Sequence, residues 1–227
     1  MLYRLTGVAS SRTILTMGHI RTHARSPEQK QRRRIQMIDA ARQLEELAGF
    51  NALAVAQVAR LAGVAKGTVF LYFPTKEALG LALLELLLTE WFTDLEEAPI
   101  APDARSLARR IASSVDSRPA LVRMLALQGS LESNVEVAHL HTFKWNVLEA
   151  MRSAGRAMEK GLPALSPGDG FRLIQFVQVL VTGLQPLAAA RSTLSAPELA
   201  PLRIDFAGAL ESALRVHLEG LRALRRT

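Results

Sequence analysis

The sequence predicts an all-α fold, with a small N-terminal helical head and a larger helical body. Three observations predict it. The chain is 49% hydrophobic, and that content is mostly leucine and alanine with only 5% aromatic residues. Apolar residues recur three and four apart through nearly its whole length, and no stretch alternates as a half-buried strand would. Prolines then punctuate the pattern at Pro99, Pro102, Pro119, Pro163, Pro167, Pro197 and Pro201, where a helix must end or begin. The 227 residues suffice for one small domain and one larger body.

Residues 1–30 read as a basic, disordered arm. Residues 1–36 hold Arg4, Arg12, Arg21, Arg25, Lys30, Arg32, Arg33 and Arg34 against the single acid Glu28. That segment carries the whole formal charge of +7, so the remainder is neutral. Such an arm can follow phosphates or enter a minor groove and add salt-dependent affinity. It equally reads as a solvated tail or an overextended start, since Met17 offers a second one. The stretch faintly resembles a transit peptide, and it has no apolar region of the kind a secretory signal carries.

A first helix is predicted over 31–48. A short second helix follows over 55–61, where Val55, Val58 and Ala59 share one side and Gln57 and Arg60 the other. Gly63 stands where a left-handed residue is needed to turn the chain. A third helix is expected over 66–73, with Val69 and Phe73 inward and Lys66, Gly67 and Thr68 in its first turn. This is the layout of a helix-turn-helix aimed at a DNA major groove. Lys66 and Thr68 offer donors, Gly67 allows close backbone approach, and the helix N-terminus adds partial positive charge. A glycine-linked helix pair without any nucleic acid is the plainer reading of the turn by itself. Pro74 ends the segment, and Thr75 caps a fourth helix over 75–96 that carries Lys76, Glu77 and Leu79.

Residues 32–80 resemble the N-terminal domain of the tetracycline-repressor (TetR) family of bacterial regulators. The resemblance rests on Ile38, Ala40, Ala41, Leu44, Gly49-Phe50, Val58-Ala59, Ala62-Gly63-Val64, Lys66-Gly67-Thr68, Tyr72-Phe73, Lys76-Glu77 and Leu79, at fixed spacing without a gap. It implies a homodimer that binds a palindromic, double-stranded operator and is released by a small ligand. It also implies DNA contacts at Lys66, Gly67, Thr68, Tyr72 and Lys76. Arg32, Arg33 and Arg34, at the start of the first helix, are expected to meet the phosphate backbone. Ala54 and Ala65 depart from the family pattern, which has Ser or Thr as helix caps there, and Phe70 replaces a usual tyrosine. The head is therefore read as residues 31–76 and the effector-binding, dimerising body as 77–227.

Further helices are predicted over 103–117, 119–132, 135–160, 167–190 and 197–225. The last two carry three-four stripes, Leu173, Val177, Leu180, Leu184 and Leu187 on one, and Phe206, Leu210, Ala213, His217, Leu221 and Leu224 on the other. With Gly183 and Gly208 they would form a four-helix dimer bundle, or else pack on the subunit's own core. The apolar run between Arg172 and Arg191 contains Gln175, Gln178, Gln185 and Pro186, which disfavour a membrane span. A moderately hydrophobic effector is expected among Met124, Leu127, Gln128, Phe143, Gln175, Gln178 and Thr182.

Catalysis is not expected. His139 and His141 diverge on a helix and cannot share one metal. Gly168-Asp169-Gly170 lacks the third glycine and the strand of a dinucleotide fingerprint. Lys66-Gly67-Thr68 lacks the glycines of a phosphate loop, and no G-x-S-x-G or H-E-x-x-H is present. No cofactor or metal is expected. Zero cysteines exclude disulfides and fit a cytoplasmic protein. The predicted function is a ligand-released transcriptional repressor; the alternatives are a DNA-binding protein without a small-molecule switch and a helical interaction module.

Overall fold

The computed structural model describes residues 26–99, 101–162, 165–190 and 196–223. Arg4, Arg12, Arg21, Arg25, Met17 and Leu224 lie outside them. Every regular element among the described residues is helical.

α1 runs from Pro27 to Ala48, so its first turn takes up residues assigned above to the arm. The cause is local: Ser26 Oγ accepts from the Gln29 N–H at 3.3 Å, and Pro27 occupies the first helical position, where its missing N–H costs nothing. Gly49, at φ 79°, ends α1, and a single 3-10 turn, Phe50–Ala52, leads to α2 (Val55–Leu61). α3 is Lys66–Tyr72. α4, Lys76–Glu97, begins where Thr75 Oγ1 accepts from the Ala78 N–H at 3.0 Å.

The body adds α5 (Ala104–Asp116), α6 (Pro119–Ala126), α7 (Gln128–Glu132), α8 (Val137–Gly161), α9 (Asp169–Ala189) and α10 (Phe206–Ala223). Two elements differ from expectation. The helix predicted over 119–132 is broken at Leu127, whose φ of −90° and ψ of −7° separate α6 from α7. The bend lets Leu131 reach Gly80 on α4, where an added Cβ would lie 2.8 Å from Leu131 Cδ2. The segment predicted as helix from 197 begins instead as a 3-10 turn, Pro197–Leu202, because Pro197 and Pro201 cannot donate the bonds an α-helix needs.

α4 is the central strut, packed against α1, α5, α6, α7 and α8. Its Trp91 is fully buried and donates from Nε1 to Ser114 Oγ on α5 at 3.0 Å. Each such large side chain contributes about 1.5–3 kcal/mol on leaving water. α8 and α9 cross at two glycines: a Cβ on Gly170 would stand 2.2 Å from the Gly155 carbonyl oxygen. α10 lies on α5 and α9.

Candidate nucleic-acid interface

The turn between α2 and α3 is built as its residues require. Gly63 adopts φ 65°; its N–H donates to the Arg60 carbonyl at 3.3 Å, and the Val64 N–H donates to Ala59 at 2.9 Å. These are the two bonds of a Schellman turn, which end α2 without orphaned carbonyls. Val58, Ala59, Val69 and Phe73 then face inward and are buried. Their burial fixes which side of α3 remains outside.

That outer side carries Lys66, Gly67, Phe70 and Leu71, all exposed, with Thr68 half-buried beside them. A Cβ at Gly67 would meet no atom within 4 Å, so another molecule can approach this backbone closely. Lys66 Nζ lies 5.9 Å from the centre of the Phe70 ring. Leu71 is 84% exposed. Sequence reasoning passed over Leu71, although it falls off the Val69–Phe73 stripe, as Phe70 does, and so had to point outward. An apolar tip of this kind suits the methyl group of thymine in a major groove.

Neither Ala54 nor Ala65 supplies a side-chain cap. At Ala54 one of the two bonds of a capping box remains, because Gln57 Oε1 reaches back and accepts from the Ala54 N–H at 3.1 Å. Lys76 is engaged inside the head: Nζ donates to the Asn51 carbonyl at 3.0 Å and lies 4.9 Å over the Phe50 ring. It braces the 3-10 turn after α1. Tyr72 is half-buried. Arg32 is exposed, Arg33 and Arg34 are half-buried, and the Arg34 guanidinium stacks 5.5 Å over Phe73.

The head is tied to the body by two ion pairs from α1. Arg42 Nη1 lies 2.8 and 3.0 Å from the two carboxylate oxygens of Glu90 on α4. Glu45, fully buried, accepts from Arg123 Nε and Nη2 of α6 at 2.7 and 2.9 Å. Hydrogen bonding to Glu45 raises the Arg123 pKa above its ordinary value.

The seven candidate effector residues differ in their surroundings. Met124 is fully buried in packed core, and Leu127 and Gln128 are half-buried, with Gln128 donating to Glu132 at 2.6 Å. Gln178 is half-buried, its amide 3.8 Å from Met151 Sδ. Gln175 and Thr182 are exposed on the outer face of α9. Phe143 lines a cleft of about 280 Å³ between head and body. A second cavity, of about 140 Å³, lies among α4, α5 and α8 near Leu95, Leu107 and Met158.

The outer face of α9 also exposes Val179, Gly183, Pro186 and Leu187, and that of α10 exposes Gly208, Ser212, Val216 and Gly220. On α10 the predicted stripe is half-buried along most of its described length, beside a row of buried leucines. Leu210, Leu214 and Leu218 are buried, while Phe206, Ala213, His217 and Leu221 pack half-buried beside them. α9 is long and apolar enough to cross a membrane by length and composition alone, yet it packs on α6, α8 and α10.

Comparison with known proteins gives matches along most of the chain. Residues 37–83 match the family model described as bacterial regulatory proteins, tetR family. Residues 81–225 match the tetracyclin repressor-like C-terminal domain. The HTH-type transcriptional regulator RutR of Escherichia coli O157:H7 is 29% identical over 139 residues, covering 54% of this chain and 66% of that protein. Over its K12 counterpart the match spans only 39% of the relative's length. The fatty acid metabolism regulator protein of Bacillus subtilis is 28% identical over 136 residues, covering 56% of this chain and 70% of that protein. A TetR transcriptional regulator from Rhodococcus sp. RHA1 shares the fold, with a TM-score of 0.55 at 22% identity over 85% of this chain and 97% of that one.

Proposed function

The chain belongs to the tetR family of bacterial regulatory proteins, and from that premise we propose that it is a cytoplasmic, dimeric transcriptional repressor that leaves an inverted-repeat operator when a small hydrophobic ligand binds. In this reading residues 31–76 are the DNA-reading head and the chain from 77 onward is the effector-binding and dimerising body. The observation that carries it is the outer side of α3, where Lys66 and Gly67 are exposed and a Cβ at Gly67 would meet no atom of the described residues within 4 Å. Lys66, Gly67 and Thr68 meet bases or adjacent phosphates; Tyr72, Arg32, Arg33 and Arg34 hold the backbone. Lys76 fixes the turn at Asn51 with one of its three N–H donors, and the other two are available to a phosphate. Dimerisation through the outer faces of α9 and α10 would set two α3 helices about one DNA turn apart, roughly 34–36 Å.

Mobility shift against sequences selected from random DNA tests this. The wild type is expected to select an inverted repeat. Lys66→Ala and Tyr72→Ala should each weaken binding by about 1–2 kcal/mol, roughly five- to thirtyfold; only Lys66→Ala, which removes a charge, should also lower the salt dependence. Tight binding unchanged by both substitutions would sink the site assignment.

A second reading, DNA binding without a small-molecule switch, is favoured by the packed core around Met124 and the differing surroundings of the candidate effector residues. A thermal-shift screen with small hydrophobic compounds separates the two. A compound that stabilises the protein and also loosens DNA supports the switch, and stabilising compounds that never change DNA affinity support the second reading.

A further inference from the structure

The cleft of about 280 Å³ is walled by the head on one side and by α4 and α8 of the body on the other. We propose that it is a binding site for a small aromatic acid. Arg34 is the reason for the acid. Its half-buried guanidinium touches the Phe73 ring and, among the described residues, meets no carboxylate within 4.0 Å. The other two cations of the junction, Arg42 and Arg123, are each held by a glutamate. A partly desolvated guanidinium gains most from a planar anion that takes two of its N–H groups together. Tyr72, at the same mouth, keeps a hydroxyl that no described residue engages.

The apolar surface gives the rest of the ligand its shape. Phe73, Leu81, Ala82 and Phe143 line the cleft and suit a flat ring. Its volume, near the lower end for ligand sites, limits the occupant to about one ring with its substituents. Glu85 is the acid on the wall, and one of its oxygens already accepts from Asn146 Nδ2 at 2.8 Å. The remaining oxygen favours a donor on the ring opposite the carboxylate.

The site has a consequence for regulation that rests on the proposed function. An acid seated on Arg34 and Tyr72 occupies two groups assigned above to the DNA backbone, so acid and DNA would compete for them. Release then needs no change in the packed core.

The probe is 4-hydroxybenzoate, with 4-hydroxybenzamide as its uncharged counterpart, titrated into the full chain without DNA and followed by ligand-observed NMR. The acid is expected to bind about tenfold more tightly than the amide, the worth of one charge-assisted contact. Arg34→Gln should abolish that preference. Thr142→Trp, at an exposed position on the cleft wall, should fill the cleft and remove binding of both compounds while circular dichroism stays native. Absence of binding, equal affinity for acid and amide, or binding that survives Thr142→Trp would overturn the site. In mobility shifts the acid should weaken DNA binding of the wild type and spare Thr142→Trp; acid that binds but leaves DNA affinity unchanged overturns the competition. A chain that takes the acid as described yet binds no DNA supports the site and refutes the proposed function.

Discussion

At Glu45 a carboxylate is fully buried between α1 and α6, and its oxygens accept from Arg123 at 2.7 and 2.9 Å. Burying such a charge is tolerable only while its partner stays in place. Arg123→Ala should therefore cost about 1–3 kcal/mol, read as a lower urea midpoint, with the lower part of that range set by the partial exposure of Arg123. A midpoint unchanged within error would mean that water reaches Glu45 without the arginine. The pair was not legible in the sequence, because the residues stand 78 positions apart and nothing local links them. The same holds for Lys76, for which the family resemblance implies a phosphate contact and whose ammonium group also braces the Asn51 carbonyl. By contrast Gln57, reaching back to the uncapped Ala54, follows from a spacing of three residues and could have been read directly.

Among the elements, α9 shows how packing overrides pattern. Its crossing with α8 brings backbone against backbone at Gly155 and Gly170, where a Cβ on Gly170 would lie 2.2 Å from a carbonyl oxygen. Gly170→Ala has no flexible side chain to displace, so it should destabilise by about 1–3 kcal/mol or more, visible as a lower melting temperature. An unaltered melting temperature would show that the helices separate freely there. Between α9 and α10, His217 stacks on Phe176 at a centroid distance of 4.4 Å, and its buried Nε2 has no partner among the described residues. Burial lowers its pKa below the ordinary 6.5. The unfolded chain then binds the proton first, so stability is full above pH 6.5 and falls as the pH drops below it. Denaturant titrations at pH 7.5 and 5.5 should show that loss, and His217→Phe should remove this histidine's share of it.

For the whole molecule, the decisive surface is the outer side of α9 and α10. Val179, Val216 and Leu187 are 69%, 61% and 55% exposed there, flanked by Gly183, Gly208 and Gly220. Small residues admit close helix approach, and apolar ones favour it. Val216→Glu should convert the proposed dimer to a monomer in analytical ultracentrifugation and abolish high-affinity operator binding, with the subunit still folded. A variant that stays dimeric would move the interface elsewhere. The predicted stripe on α10 suits either this interface or the subunit's own core; of it Leu210 is buried in that core, while Phe206, Ala213, His217 and Leu221 are half-buried. A helix with apolar residues on two sides looks alike in sequence whichever side meets the partner.

The sequence by itself determined the class of fold, the turn at Gly63 and the side of α3 that faces outward, because these depend on contacts within a few residues. It took the tertiary packing to show that Lys76 serves the Asn51 carbonyl, that Arg34, over Phe73 at the mouth of a cleft, meets no carboxylate among the described residues, and that Gln175 and Thr182 are exposed while Met124 is buried. Each of these depends on which distant helix lies opposite, and periodicity along one chain specifies a face without specifying its neighbour.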